Sequence, residues 1–206
     1  RDADGHIVHE NSAGYPQPVV DNNRKILGFG VAPEQIGLGA SFRYKDWNAS
    51  LLVEGKMGGQ IHSGTNGEML GRGLHKMTVP AGGRHSGWTP EGVMEDGSAV
   101  SQSLTVAQQQ NYWNKYNDAA EASIYDADYM RLRNVSIGYN LPSSMLEGTS
   151  IQSASISLIG KNLFFLSNSV DNIDPESAYN SNNSQGLEYW GMPVPRTIGV
   201  NVNLKF

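Results

Sequence analysis

The sequence predicts an all-β fold: five antiparallel strands of a transmembrane β-barrel, joined in part by long extracellular loops. Three observations carry that expectation. Five segments alternate apolar and polar residues with a period of two. Their connections are very unequal in length. Aromatic residues at the segment ends gather at one side of the arrangement.

The first strand is expected over 36–44, IGLGASFRY. Ile36, Leu38, Ala40, Phe42 and Tyr44 share one face, and Gly37, Gly39, Ser41 and Arg43 the other. The second, 47–57, sets Trp47, Ala49, Leu51, Val53 and Met57 opposite Asn48, Ser50, Glu54 and Lys56. Only Lys45 and Asp46 separate these strands, so they form a two-residue hairpin. The third, 129–141, keeps Val135, Ile137, Tyr139 and Leu141 in phase, yet Arg131 and Arg133 fall on the same parity. A lipid-facing stripe would not accept them. Either a bulge shifts the phase near Asn134, or the arginines lie above the apolar zone. The fourth, 151–162, has Ala154, Ile156, Leu158 and Gly160 in phase. The fifth, 196–206, alternates Ile198, Val200, Val202, Leu204 and Phe206 with Gly199, Asn201, Asn203 and Lys205. By parity, Leu38, Phe42, Leu51, Val53, Val200 and Val202 face lipid, while Arg43, Glu54, Asn201 and Lys205 face the lumen or its mouth.

Residues 142–150 read as a compact turn, whereas 1–35, 58–128 and 163–195 read as long loops. Soluble domains seldom hold structureless loops beyond ~12–15 residues. Outer-membrane barrels do so routinely, with short periplasmic turns and long extracellular loops. With the short turns assigned to the periplasm, Phe42, Tyr44, Trp47, Tyr139 and Phe206 fall at one interface, as an aromatic girdle does.

Composition narrows the rest. The net charge of −5 argues against nucleic-acid binding, which wants a basic surface. Cysteine is absent, so disulfides, thiol nucleophiles and thiolate metal sites are excluded. No apolar run approaches the ~20 residues of a membrane helix, but a membrane β-strand needs only ~9–11. The opening RDADGHIVHE is polar and is not a signal peptide, which leaves export open because a mature protein lacks one too.

Several ordered motifs resemble the C-terminal portion of SusC/RagA-family TonB-dependent outer-membrane transporters. YDADYMRLRNVSIGYNLP (125–142) and SISLIGKNLFFL (155–166) resemble the family's penultimate hairpin, with Gly160, Lys161, Asn162 and Leu163 on its glycine–basic–Asn–Leu signature. DNIDPES (171–177) resembles its Asp-Pro-Glu loop, and PVPRTIGVNVNLKF (193–206) its closing strand. DNNRKILG (21–28) and the strand pair 36–57 also fit, and the likeness is weakest over 58–124.

The resemblance implies a barrel of about 22 strands around an N-terminal plug, of which residues 1–206 supply the last five strands. It implies as partners the remaining N-terminal barrel and plug, outer-membrane lipid, a SusD-like surface lipoprotein and, through the N-terminal part, the TonB complex. The implied cargo is an oligosaccharide or peptide, and no enzyme activity is implied. Phe206 would belong to the signal read by the barrel-assembly machinery.

Candidate sites are fewer. RDADGHIVHEN partly fits a calcium loop through Asp2 and Asp4, although Asn11 stands where a bidentate Glu is expected; the alternative is an ordinary Asp/Gly turn. No other cofactor is expected. Asp174 and Glu176 are two nearby carboxylates, read as structuring their loop rather than as a glycosidase pair. His6, His9, His62, His75 and His85 lack metal-ligand spacing and read as solvated. The glycine-dense stretch 55–73 lacks the end of a phosphate loop and reads as a mobile loop. The loop aromatics Trp88, Tyr112, Trp113, Tyr179, Tyr189 and Trp190 are candidates for stacking on a sugar ring or an apolar peptide side chain, or else for packing the loops or a lipoprotein. The alternative to the barrel is a soluble β-rich carbohydrate-binding or adhesion module. In that fold the in-phase faces pack against a second sheet.

Overall fold

The computed structural model describes residues 1–206 except 24, 178–181 and 183. The chain forms two compact units. One contains residues 29–61, 126–186 and 191–206; the other contains 1–28, 62–125 and 187–190.

The first of these is built on one five-stranded antiparallel sheet. Its strands are β1 (Glu34–Tyr44), β2 (Trp47–Met57), β3 (Tyr129–Asn140), β4 (Ser153–Asn168) and β5 (Thr197–Lys205). Each pairs with its neighbour in chain order, an up-and-down meander. Lys45 takes a φ of 51°, the left-handed conformation that a two-residue hairpin loop demands. Tyr44 then sits opposite Trp47, and Trp47 opposite Tyr139 with ring centroids 4.8 Å apart. Phe206 follows β5 at the same end of the sheet and is exposed.

Register sorts the side chains as the alternation requires. Leu38 pairs with Val53, Leu51 with Val135, Ile137 with Leu158, and Leu158 with Val200. The apolar face therefore runs unbroken from β1 to β5. It is open: Leu38 and Val200 are each 65% exposed. A sandwich would bury these residues against a second sheet, and none covers them among the described residues. Arg43 pairs with Asn48 and Asn201 with Ser157 on the opposite, polar face.

The two arginines of β3 are placed by a bulge. Leu52 pairs with Asn134 but Val53 with Leu132, so Arg133 is an extra residue on its strand. Across β4 the register likewise steps from Lys161 opposite Asn134 to Phe164 opposite Leu132. The step restores the apolar phase at Leu132 and Met130 and turns Arg131 and Arg133 to the polar face. β4 also runs six residues past the expected end at 162. Lys161-Asn162 resembles a turn in sequence, but it is a bulge within a continuing strand.

The second unit corrects the reading of 58–128 as plain loop. It contains helices α1 (Gly64–Gly71) and α2 (Val106–Asn117), packed on each other. The mobile-loop expectation for 55–73 fails here, because 60–63 is strand and 64–71 is helix. Ser63 caps α1 by accepting the Asn66 amide hydrogen, and Leu70 is fully buried. The glycines that hid this helix in the sequence let neighbours approach: a Cβ at Gly67 would lie 2.7 Å from Asn117 Oδ1. Thr105 and Gln108 form a capping box on α2. Short strands Val8–Glu10, Gln17–Pro18 and Val93–Met94 complete a small sheet.

Candidate functional site

The polar face of the sheet carries a clamp of arginines and carboxylates. Arg131, 3% exposed, reaches Asp174 through Nη2 at 2.5 Å and Glu176 through Nη1 at 2.6 Å. Its guanidinium lies 3.9 Å from the Phe165 ring centroid. Arg133 donates to Glu54 at 2.7 Å, to Asn162 Oδ1 at 2.9 Å, and to both oxygens of Glu176 at 2.6 and 3.0 Å. The Tyr129 hydroxyl donates to Glu176 at 2.8 Å. Burial alone would push the Glu176 carboxyl up. The hydrogen bonds from Arg133 and Tyr129, with the charges of both arginines, outweigh that and hold it below the usual carboxylate range.

The clamp fixes the segment between β4 and β5. Asp174 accepts the amide hydrogens of Glu176 and Val194, each at 3.0 Å. Asn162, at a φ of 51°, donates to the Pro195 carbonyl. Both carboxylates are thus engaged in structuring the loop, as the sequence suggested.

Beside the clamp lies a recess of about 380 Å³. Gln35, Lys56 and Tyr129 cross its floor in register on three adjacent strands, and Gln60, Glu176 and Gln185 contribute further polar groups. One wall is a close backbone crossing. A Cβ at Gly30 would lie 2.2 Å from the Gln185 carbonyl oxygen, and one at Gly186 2.5 Å from the Gly30 Cα. Sequence reasoning missed this recess. The alternation of 47–57 put Lys56 on the polar face, but nothing local brought Gln60 and Gly30 to it.

The remaining candidates fall in the helical unit. Tyr112 and Trp113 are buried in its core with Tyr15, Leu70 and Leu104, and Trp88 packs against them. Trp88 stacks on Trp113 at 5.1 Å and meets Tyr112 edge-on at 5.1 Å. Tyr112 and Trp113 thus take the alternative role of packing the loops, with half-buried Trp88 against them. Tyr189 and Trp190 are 51% and 61% exposed. Tyr179 lies outside the described residues.

His9 and His75, expected to be solvated, are buried. His9 contacts the Val93 carbonyl through Nδ1 at 3.2 Å and the Tyr112 hydroxyl through Nε2 at 3.0 Å. A carbonyl only accepts, so Nδ1 carries the hydrogen and Nε2 accepts from Tyr112. Burial depresses the His9 pKa.

Glu188 is also buried, accepting from Ser63 at 2.7 Å and Thr65 at 2.6 Å at the N-terminus of α1. Asp2, Asp4 and His6 bring ligand atoms within 4.8 Å of one another. Asp2 Oδ1 accepts the amide hydrogens of Asp4 and His6, and Gly5 has a φ of 89°, the geometry of an Asp/Gly turn. Calcium prefers an all-oxygen shell, which a set containing His6 fits poorly.

An open five-stranded meander, apolar on one face and arginine-clamped on the other, is a section of a transmembrane β-barrel wall. No family model matches the chain. It is 30% identical over 190 residues to TonB-dependent receptor P3 of Formosa agariphila and 24% identical over 187 residues to TonB-dependent receptor P26 of the same organism. These alignments cover 89% and 88% of the chain and 17% and 18% of the relatives, so the chain spans under a fifth of their length. Solved structures of the RagAB peptide importer share the fold. The closed-closed state matches all of the chain and 20% of the importer chain at a TM-score of 0.63 and 16% identity. The open-open state matches 97% of the chain and 20% of the importer chain at 0.64 and 17%. In sequence the chain is similar to a section of TonB-dependent receptors, and it shares the fold of a section of the RagAB importer chain, which makes it part of a bacterial outer-membrane β-barrel.

Proposed function

We propose that this chain supplies wall and extracellular loops to an outer-membrane nutrient importer that takes up oligosaccharides or peptides. A SusD-like surface lipoprotein and the TonB complex are its proposed partners. The observation that carries the reading is the clamp. Arg131 and Arg133 fasten the segment after β4 onto the polar face of a sheet whose other face is apolar and open. A wall built this way holds a structured loop against the lumen, as a selective importer requires. The likeness to the RagAB peptide importer supports the peptide half of the substrate class. Loops 1–35, 58–128 and 163–195 are the proposed extracellular surface, with exposed Tyr189 and Trp190 available to solute or lipoprotein.

The test is a deletion of the gene encoding this chain, followed by growth on single classes of oligosaccharide and peptide. Loss of one class, restored by complementation and dependent on TonB, is expected, together with co-purification of a surface lipoprotein. Unchanged growth on every class with no associated lipoprotein would refute the reading.

A further inference from the structure

We infer that the recess beside the clamp is a solute subsite for a carboxylate-bearing end group with an adjacent hydrogen-bond donor. The inference rests on the importer reading and names the chemistry of one part of its cargo. Lys56 lies on the floor with no ion-pair partner among the described residues. The other cations nearby are already paired: Arg131 and Arg133 face the three carboxylates Glu54, Asp174 and Glu176. Lys56 is therefore the cation left to meet a solute anion.

The second observation is independent. Gln60 Oε1 is buried and has no hydrogen-bond partner among the described residues, although its backbone amide donates to the Phe29 carbonyl at 2.7 Å. An unsatisfied buried acceptor costs stability unless something donates to it. Gln60 lines the recess, and a turn of its side chain would bring that oxygen to a ligand N–H or O–H. Gln35, opposite Lys56 in the β1–β2 register, adds an amide that both donates and accepts.

Cation, acceptor and amide around about 380 Å³ suit a terminal carboxylate with a neighbouring donor. Two sources carry that group: the C-terminus of a peptide, with its amide N–H, and a uronic acid, with its ring hydroxyl. The two oxygens of Glu176 are held by Arg131, Arg133 and Tyr129, which weakens its repulsion of such an anion.

The experiment is calorimetric binding to the intact transporter in detergent, with two probe pairs. One is a tetrapeptide with a free C-terminal carboxylate against the same peptide amidated. The other is a tetragalacturonate against its methyl ester. One free acid should bind at least about tenfold tighter than its neutral partner, as a charge-assisted hydrogen bond implies. Which acid it is identifies the source. Lys56→Met should abolish that difference, and Gln60→Glu should weaken the acid further by adding a like charge. Lys56 is exposed, so its replacement tests binding rather than folding, and normal assembly of both variants is checked by heat-modifiable mobility. Equal binding of acid and neutral partner in both pairs, or discrimination that survives Lys56→Met, would overturn the subsite. Uptake measured in parallel separates the two readings. Continued TonB-dependent uptake without discrimination rejects the subsite alone, while discrimination without uptake rejects the importer alone.

Discussion

Arg131 and Asp174 are the most buried charges of the clamp, with side chains 3% and 4% exposed. Removing one member of a buried pair leaves the other desolvated and uncompensated, a loss of about 3–5 kcal/mol. Asp174→Ala also removes the acceptor for the Glu176 and Val194 amides. Hydrogen exchange at those amides should accelerate by about two to four orders of magnitude. Exchange across the β4–β5 ladder should stay unchanged. Equal protection in the variant would mean that the clamp does not hold the loop. Glu176 adds a pH dependence of defined sign. Its folded pKa is depressed, so its contribution is complete above the unfolded value and is lost as pH falls through the folded one. Protection of the loop from pepsin should hold down to about pH 4 and fall away below it, the unfolded carboxyl titrating near 4.3. Glu176→Gln should remove this step.

The strand elements were legible because each alternates on its own, and β2 runs over 47–57 as its parity demands. Two other features were not. The end of β4 was misplaced because Gly160-Lys161-Asn162 carries turn residues. Only its partner strand reveals that Asn162, at a φ of 51°, bulges opposite Arg133 and holds it at 2.9 Å. Helix α1 was missed because its glycines depress local helix propensity, while what stabilises it is distant: Glu188 at its N-terminus and α2 along its side. The clamp was half visible. Arg131 and Arg133 stood out as wrong in parity, but their partners lie about forty residues downstream. The bulge predicts a contrast between two substitutions. Asn162→Gly keeps the left-handed backbone and loses the bond to Arg133, a cost of about 1–2 kcal/mol. Asn162→Val adds the strain of a β-branched residue at positive φ, about 1–3 kcal/mol more. Thermal midpoints of the heat-modifiable band should rank them in that order, and equal midpoints would deny the bulge its role. The helical unit has its own pH response. His9 is buried neutral with a depressed pKa, so its contribution is complete above about pH 6.5 and is lost as pH falls toward its folded value. The near-ultraviolet dichroism of the stacked Trp88–Trp113 pair should melt at lower temperature at pH 5 than at pH 7, and His9→Gln should flatten that difference.

Across the molecule, one rule decides what each face of the sheet tolerates. The apolar face runs from Leu38 through Val53, Leu132 and Phe164, and from Phe42 through Ala49, Ile137 and Leu158 to Val200. The polar face carries Arg43, Glu54, the clamp and Asn201. β1 and β5 also expose backbone groups along their outer edges, where no strand pairs with them among the described residues. In hydrocarbon each unpaired group costs several kcal/mol, so the sheet is stable in a membrane as part of a closed barrel. A lysine scan separates this arrangement from any water-soluble use of the same sheet. Leu38→Lys and Val200→Lys place a cation on the lipid face, at about 2–4 kcal/mol each near the bilayer midplane. Gly37→Lys and Asn201→Lys, one residue away, place the same charge on the polar face, and a side chain at Gly37 meets nothing within 4 Å. The heat-modifiable form in outer-membrane fractions should fall sharply for the first pair and stay near wild type for the second. In a soluble sheet the preference would vanish or reverse, because a lysine on an open apolar face improves solubility in water. Equal assembly of all four variants would therefore show that the apolar face does not meet lipid.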